Sequence, residues 1–211
     1  MSGNIVPPKS EKRFVEEEEL LNDAFRLAVN IYESGFRPNF IVGIWRGGST
    51  IGIYVQECLQ YLGVVTDHIA IRTSYRGMNS YLEKVHSPET IRVHGLQYLY
   101  EKLNRDDRLL LVDDVFSSGQ NIEAALRRLQ AKCKRNYPKD VRIAVSYYRP
   151  DKNRTGRFPD YFLHETSDWL VLPYELQGLT LEEIADHKPC VKPILENRSQ
   201  HPSICLSQHA L

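Results

Sequence analysis

The segment LLLVDDVFSSGQN, residues 109–121, decides the fold of this chain. Four apolar residues run into two adjacent acids, Asp113 and Asp114, and a loop rich in serine and glycine then leads into a helical stretch. In an α/β protein this places both carboxylates at the carboxyl end of a buried strand, where ligands bind. The loop that follows, Ser117–Asn121, offers backbone N–H groups and a helix N-terminus to an anion. Carboxylates for hydroxyl groups beside an anion site suit a phosphorylated sugar.

Strands and amphipathic helices alternate on both sides of this segment. Apolar runs predict buried strands, and apolar residues spaced by three and four predict helices. The predicted strands are Phe40–Ile44, Val64–Ile71, Leu109–Asp113 and Val141–Tyr147, and the predicted helices carry apolar stripes from Leu21 through Phe25 to Tyr32, from Ile51 to Leu62 and from Ile122 to Cys133. The alternation predicts an α/β fold with a parallel twisted sheet and helices on both faces.

The rest of the chain predicts an arm, a domain and a tail. We expect residues 1–12 to be a mobile N-terminal arm and residues 13–186 to be one domain, with a small hood near 155–186. Tyr161–Leu163 and Trp169–Leu172 are candidate strands of that hood. Residues 187–211 are polar and carry three prolines, which favours an extended tail. The polar stretch from Thr73 to Arg92 is longer than an ordinary loop, as is typical of a lid or a disordered segment.

Composition excludes several classes of protein. Lysine plus arginine equals aspartate plus glutamate, 27 each over 211 residues, so no net charge attracts nucleic acid or a membrane surface. The sequence contains no apolar run of about 18 residues, so it predicts no membrane span. The N-terminal sequence lacks the apolar core of a signal peptide, which predicts a cytoplasmic protein. The chain also lacks a Walker A lysine loop and a G-x-G-x-x-G sequence, the marks of the two commonest nucleotide sites on this architecture.

Four further short motifs carry candidate chemistry. The sequence IWRGG at 44–48 lies where the first strand turns into a helix, and its glycines with Arg46 suit a diphosphate, although a simple tight turn is the alternative. Ser74-Tyr75 begins the long polar stretch. WLVLPYE at 169–175 places an aromatic residue before a proline turn, where the alternative is a core tryptophan. Arg149-Pro150 directly follows the fourth strand.

In their order along the chain, the motifs resemble those of type I phosphoribosyltransferases. The resemblance is strongest to the purine enzymes that use hypoxanthine, guanine or xanthine. The segment 109–119 is similar to the family's donor motif, except that Ser117 stands where the family has aspartate. Arg46-Gly47 resembles the pyrophosphate loop, in which the peptide before the basic residue is often cis. The resemblance therefore implies a cis Trp45–Arg46 bond and the type I phosphoribosyltransferase fold with a small hood.

The resemblance also implies a reaction and a set of site residues. The reaction is transfer of a phosphoribosyl group from 5-phosphoribosyl diphosphate to a 6-oxopurine, with Mg²⁺, in purine salvage; relatives are homo-oligomers, dimers or tetramers. The implied catalytic residues are Asp113, Asp114, Ser117, Ser74 and Tyr75. The implied donor-binding residues are Arg46, Gly47, Asp113, Asp114, Ser117, Ser118, Gly119, Gln120 and Asn121. The implied base-binding residues are Arg149, Trp169 and Leu170, with Lys152 in place of Arg149 if the alignment slips, and the implied metal-binding residues are Glu175, Asp113 and Asp114.

Ser117 leaves the function open at one point. The family aspartate is thought to manage the proton on purine N7, and a serine hydroxyl is no general base unaided. The chain therefore works with a water or another carboxylate, prefers a base that is already partly ionised, such as xanthine, or mainly binds nucleotides or 5-phosphoribosyl diphosphate as a sensor. A different α/β enzyme, such as a phosphatase with two acids at a strand end, is a further alternative.

Overall fold

The structure is a computed structural model that describes residues 12–75 and 91–197, without the side chain of Tyr75. The predicted mobile arm up to residue 11, the centre of the long polar stretch and the end of the predicted tail lie outside the described residues. The strands are β1 (Lys12–Phe14), β2 (Phe40–Trp45), β3 (Asp67–Tyr75), β4 (Ile91–His94), β5 (Arg108–Phe116), β6 (Asp140–Tyr148), β7 (Tyr161–Glu165) and β8 (Trp169–Val171). The α-helices are α1 (Glu17–Glu33), α2 (Gly47–Tyr61), α3 (Gln97–Lys102), α4 (Gln120–Cys133), α5 (Leu181–His187) and α6 (Val191–Glu196).

Six strands form the main sheet in the order β4-β3-β2-β5-β6-β7. Every neighbouring pair is parallel except β3 and β4, which are antiparallel. One apolar core lies between this sheet and helices α1 and α2, and a second lies between its other face and helices α3 and α4. The predicted α/β fold, a parallel sheet with helices on both faces, is therefore confirmed.

A second, two-stranded sheet pairs β1 with β8 in parallel. We call β1, β8 and residues 172–196 the hood. The ring of Phe14 in β1 stacks on His187 in α5 with 3.7 Å between ring centroids, and Lys12 forms an ion pair with Glu183. These contacts join the first described residues of the chain to its C-terminal helices.

The strand at Tyr161–Leu163 does not belong to the hood. It lies in β7, which pairs with β6 at the edge of the main sheet, and Tyr161 and Leu163 pack against the core under α1. Pairing is prolonged by Asp160, whose carboxylate accepts a hydrogen bond from the Ile143 amide at 2.8 Å. A short apolar run has the same pattern in an edge strand and in a hood, so the sequence did not distinguish the two.

Two other local predictions need correction. The buried face of α1 is formed by Leu20, Ala24, Leu27, Ala28 and Ile31, whereas Phe25 of the predicted stripe is 38% exposed. The start of the predicted extended tail contains helix α6. None of the described helices is long and apolar enough to cross a membrane.

The sheet divides at the point where β2 and β5 lie side by side. The chain runs from β2 through α2 to β3, which lies on one side of β2, whereas β5 lies on the other side and leads through α4 to β6. The loops that follow β2 and β5 therefore turn away from each other. Pairing between β2 and β5 ends at Gly43 with Val112, and beyond that point β5 pairs with β6 alone. A crevice at such a switch point is the usual ligand site of open α/β sheets.

Candidate functional site

Asp113 and Asp114 lie in this crevice, on the part of β5 beyond its last pair with β2. The amide of Asp114 donates to Asp113 Oδ1 at 3.0 Å, and the amide of Val115 donates to Asp114 Oδ1 at 2.7 Å. Burial of the carboxyl group, together with the neighbouring charge of Asp114, raises the pKa of Asp113 well above its ordinary value. A second negative charge is therefore disfavoured at this pair of acids, and a cation or a hydrogen-bond donor would offset that cost.

The loop after β5 forms a small concavity at the N-terminus of α4. Its lining includes Asp113, Ser117, Ser118, Gly119 and Asn121. Gly119 has a φ of 73°, a left-handed conformation that favours glycine, and Gln120, also placed here by the sequence, is buried as the first residue of α4. All five loop residues assigned to donor binding thus lie together, directly beyond the two acids.

Arg46 and Gly47 form the facing turn, between β2 and α2. The Trp45–Arg46 peptide bond is cis, as the resemblance implies. A β carbon on Gly47 would lie 1.8 Å from Asp114 Oδ2, so any other residue would have to displace that carboxylate. The turn from β2 and the acids of β5 therefore face each other across the crevice.

The hood closes one side of this crevice with the segment 169–175. Trp169 is 53% exposed, and Leu170 is buried in β8 opposite Arg13 of β1. Glu175 Oε1 lies 3.7 Å from the Arg46 guanidinium, while its Oε2 accepts the Leu172 amide at 3.1 Å. Glu175 thus faces the Arg46 turn, and the ring of Trp169 is exposed.

Arg149 lies at the end of β6 and contacts both neighbouring loops. Its amide donates to the Phe116 carbonyl at 2.9 Å, and its guanidinium donates to the Ser167 carbonyl at 2.9 Å, two residues before Trp169. Its Nε is buried and has no hydrogen-bond partner. Lys152, the alternative, is exposed and pairs with Asp151 at 3.1 Å. Arg149 is therefore the better placed of the two cations.

Ser74 and Tyr75 end β3, and the backbone of Tyr75 pairs with Ile91 of β4. Ser74 Oγ lies 3.0 Å from His94 Nε2. Both ends of the predicted long loop are thus strand residues. The catalytic role implied for Ser74 and Tyr75 stays a prediction, because the Tyr75 side chain and residues 76–90 lie outside the described part of the chain.

One group of side chains in the described residues has the spacing of metal ligands, namely Glu19, Asp23 and His164, and it lies apart from the predicted metal site. His164 Nε2 lies 2.6 Å from Asp23 Oδ2, and the His164 ring stacks on Tyr147. Arg13 pairs with Glu19, and Arg26 pairs with Asp23. These contacts join α1 to the edge of the sheet.

Two residues of the site were missed by the sequence reasoning. The Tyr174 hydroxyl donates a short hydrogen bond to Asp114 Oδ2, and the Lys188 ammonium donates to the carbonyls of Leu172 and Pro173 at 3.1 and 2.7 Å. Tyr174 stands in the quoted motif between Pro173 and Glu175, which places it near the site but does not identify Asp114 as its partner. Lys188 lies in the predicted tail, where no signal marked it.

Comparisons with known proteins agree with this architecture. The family model for the phosphoribosyl transferase domain matches residues 12–187. A purine phosphoribosyltransferase from Pyrococcus horikoshii is 22% identical, with a TM-score of 0.58 over 80% of this chain and 97% of that one. A hypothetical protein from Neisseria gonorrhoeae, solved with bound ppGpp, is 18% identical, with a TM-score of 0.64 over 89% of this chain and 99% of that one.

A xanthine-guanine-hypoxanthine phosphoribosyltransferase from Helicobacter pylori is 17% identical, with a TM-score of 0.59 over 84% of this chain and all of that one. No curated protein matches the chain. At these identities the solved structures establish the fold, whereas the family model spans most of the sequence. The chain therefore belongs to the phosphoribosyl transferase domain family.

Proposed function

We propose that the protein transfers the phosphoribosyl group of 5-phosphoribosyl diphosphate to a 6-oxopurine, releasing pyrophosphate. One observation carries the proposal: the two acids of β5, the anion loop after them and the Arg46 turn meet at the switch point of the sheet. Together they offer groups for the ribose hydroxyls, for the 5-phosphate and for the diphosphate. The family membership and the purine-type solved structures support the same assignment.

Each part of the donor has a matching group in this arrangement. Asp113 and Asp114 accept the hydrogen bonds of the ribose hydroxyls, and the backbone of residues 117–121 receives the 5-phosphate at the start of α4. Arg46 stabilises the negative charge that grows on pyrophosphate as the bond to the anomeric carbon breaks. Purine N9 forms the new bond to that carbon, and the N–H proton of the base leaves to solvent or to a neighbouring acceptor.

The acids also fit Mg²⁺, which prefers oxygen ligands. Burial and, after it, the neighbouring charge of Asp114 raise the pKa of Asp113, and a divalent cation would offset both effects. Asp113, Asp114 and Glu175 would hold the ion directly or through water. When bound, magnesium supplies charge neutralisation and a template for the donor.

The base has a candidate site beside the hood. Trp169 offers an exposed ring for stacking, and stacking of this kind is worth about 1–3 kcal/mol per base with little selectivity. Arg149 has a buried Nε without a partner and is linked to the loop before Trp169. We propose that Arg149 donates to the 6-oxygen of the purine and that Trp169 stacks on its ring.

The test is a product assay with 5-phosphoribosyl diphosphate, magnesium and a panel of hypoxanthine, guanine, xanthine and adenine. We expect pyrophosphate and nucleotide in equal amounts with one or more 6-oxopurines. An Asp113→Asn/Asp114→Asn double variant, checked for folding, is the inactive control. Release of inorganic phosphate instead of pyrophosphate would favour the phosphatase alternative, and no nucleotide with any purine would contradict transferase activity.

A second candidate is a sensor that binds a nucleotide or the donor without turnover. Ser117 favours it, because no carboxylate stands at the loop position where the family has one. The similar Neisseria gonorrhoeae protein was solved with ppGpp, a guanine nucleotide that carries two diphosphates. Calorimetry with ppGpp and with the donor, on the protein used for the product assay, separates the candidates: tight binding without product indicates a sensor.

A further inference from the structure

The turn Leu172–Glu175 in the hood is closed by four hydrogen bonds. The Glu175 amide donates to the Leu172 carbonyl at 2.9 Å, and the Leu172 amide donates back to Glu175 Oε2 at 3.1 Å. Lys188 Nζ donates to the carbonyls of both Leu172 and Pro173. Because backbone, side chain and a distant lysine all close the same turn, the direction of the Tyr174 side chain is set by the hood.

Both residues at the end of this turn reach the proposed donor site. The Tyr174 hydroxyl donates to Asp114 Oδ2, and Glu175 Oε1 lies 3.7 Å from the Arg46 guanidinium. Asp114 Oδ1 already accepts a hydrogen bond from the Val115 amide, so each oxygen of that carboxylate has one fixed hydrogen-bond donor. A carboxylate with a donor on each oxygen is held in a single orientation.

The Tyr174 hydroxyl is also packed against the turn opposite. A β carbon on Gly47 would lie 1.9 Å from the Tyr174 oxygen and 1.8 Å from Asp114 Oδ2. The hydroxyl, the carboxylate and the backbone of the β2–α2 turn therefore meet at one point. A tyrosine hydroxyl carries its proton at neutral pH, so the Tyr174 hydroxyl is the hydrogen-bond donor to Asp114.

We infer that Tyr174 is a positioning residue through which the hood orients Asp114 for the sugar donor. This inference rests on the proposed function and extends it to a residue without a role in the assignments above. A hydrogen bond to a charged group contributes more than a hydrogen bond between neutral groups. Its loss therefore weakens binding of the sugar donor more than binding of the purine. Lys188 contributes indirectly, because it closes the turn that carries Tyr174.

The test compares Tyr174→Phe, which removes only the hydroxyl, with Tyr61→Phe, a control on a side chain that is 91% exposed at the end of α2. We expect Tyr174→Phe to raise the KM for 5-phosphoribosyl diphosphate roughly tenfold. The KM for the purine and the kcat at saturating sugar donor change less than about twofold, since the hydroxyl acts only on Asp114, the acid proposed to bind the sugar donor. The control matches the wild type.

Two Lys188 variants keep the test decisive if Tyr174→Phe folds poorly, as its melting temperature without donor would show. Lys188→Met opens the turn and raises the donor KM, whereas Lys188→Arg keeps a donor to the same carbonyls and restores most of the affinity. An unchanged or lower donor KM in Tyr174→Phe overturns the inference alone. If the wild type neither binds the donor by calorimetry nor releases pyrophosphate, the proposed function fails, and the inference fails with it.

Discussion

Gly48 lies so close to Asp113 that a β carbon on Gly48 would come within 2.8 Å of the Asp113 Cα. The same β carbon would lie 2.3 Å from the Val112 carbonyl oxygen. Both contacts involve the backbone of β5, which cannot move without disturbing the sheet. The first turn of α2 is thus packed directly on the strand that carries the two acids.

Gly48→Ala is expected to destabilise the fold by roughly 1–3 kcal/mol, the usual cost of overpacking a buried site. Urea unfolding monitored by circular dichroism measures the change. Gly156→Ala is the matched control, because nothing lies within 4 Å of the position of its β carbon and its φ is not positive. Equal stability of Gly48→Ala and the wild type would show that α2 and β5 are not in close contact.

Asp113→Asn is expected to flatten the pH dependence of stability in the absence of donor. The pKa of Asp113 is raised in the folded protein. At a pH between the pKa of Asp113 in the unfolded chain and its pKa in the folded protein, the folded state therefore holds a proton that the unfolded state has lost. Its contribution to the free energy of unfolding is therefore full at low pH and falls as pH rises through the folded pKa. Asparagine has no such proton.

Urea unfolding at steps from pH 4 to pH 8 checks this prediction. We expect the wild type to lose more stability than Asp113→Asn over that range. Asp106→Asn is the control, since the Asp106 side chain is 90% exposed in a surface ion pair with Lys139, and it should follow the wild type. Parallel curves for the wild type and Asp113→Asn would mean that Asp113 ionises normally.

Trp169→Ala is expected to raise the KM for the purine by roughly tenfold or more, because stacking on an aromatic face contributes about 1–3 kcal/mol. The KM for the donor should stay near the wild-type value, since Tyr174 and Glu175, rather than Trp169, are the hood residues that reach Asp114 and Arg46. Initial rates at varied purine measure the effect. Tyr61→Ala, the loss of an exposed aromatic side chain at the opposite end of α2 from Gly47, is the control. A larger rise in the donor KM than in the purine KM would place the base elsewhere.

Ser117→Asp is expected to increase turnover with hypoxanthine, because it supplies a carboxylate where Ser117 lines the concavity after β5. General-base assistance contributes up to about 10²–10⁴-fold, which bounds the gain. Ser117→Asn has nearly the same shape without the base and is the matched control. Single-turnover rates at saturating donor measure the change. Lower or equal turnover in Ser117→Asp with intact donor binding would show that another group or water already receives the proton.

The local motifs were predictable because each depends on neighbouring residues. The apolar run 109–112 before two acids predicted a strand with carboxylates beyond its buried part, and β5 carries both at the crevice. The stripe of α4, from Ile122 to Cys133, predicted a buried face, and that face packs on the sheet. The cis bond before Arg46 came from the family resemblance rather than from periodicity.

The errors arose where burial depends on distant neighbours. Phe25 fits an apolar stripe, yet α1 turns a different set of residues to the sheet and leaves that ring 38% exposed. Tyr161–Leu163 has the pattern of any short strand, and only pairing with β6 assigns it to the main sheet. Periodicity specifies that a segment has an apolar face, whereas the packed neighbour decides which residues that face contains.

The sequence by itself determined the alternation of strands and helices, the pair of acids after an apolar run and the order of the motifs, because these follow from hydrophobic spacing and local backbone chemistry. The tertiary structure alone decided that Tyr174 binds Asp114, 60 residues away, and that Glu175 faces Arg46. Those contacts depend on how the hood rests over the sheet. Such placement results from the sum of many long-range packing contacts, and no local pattern of residues specifies it.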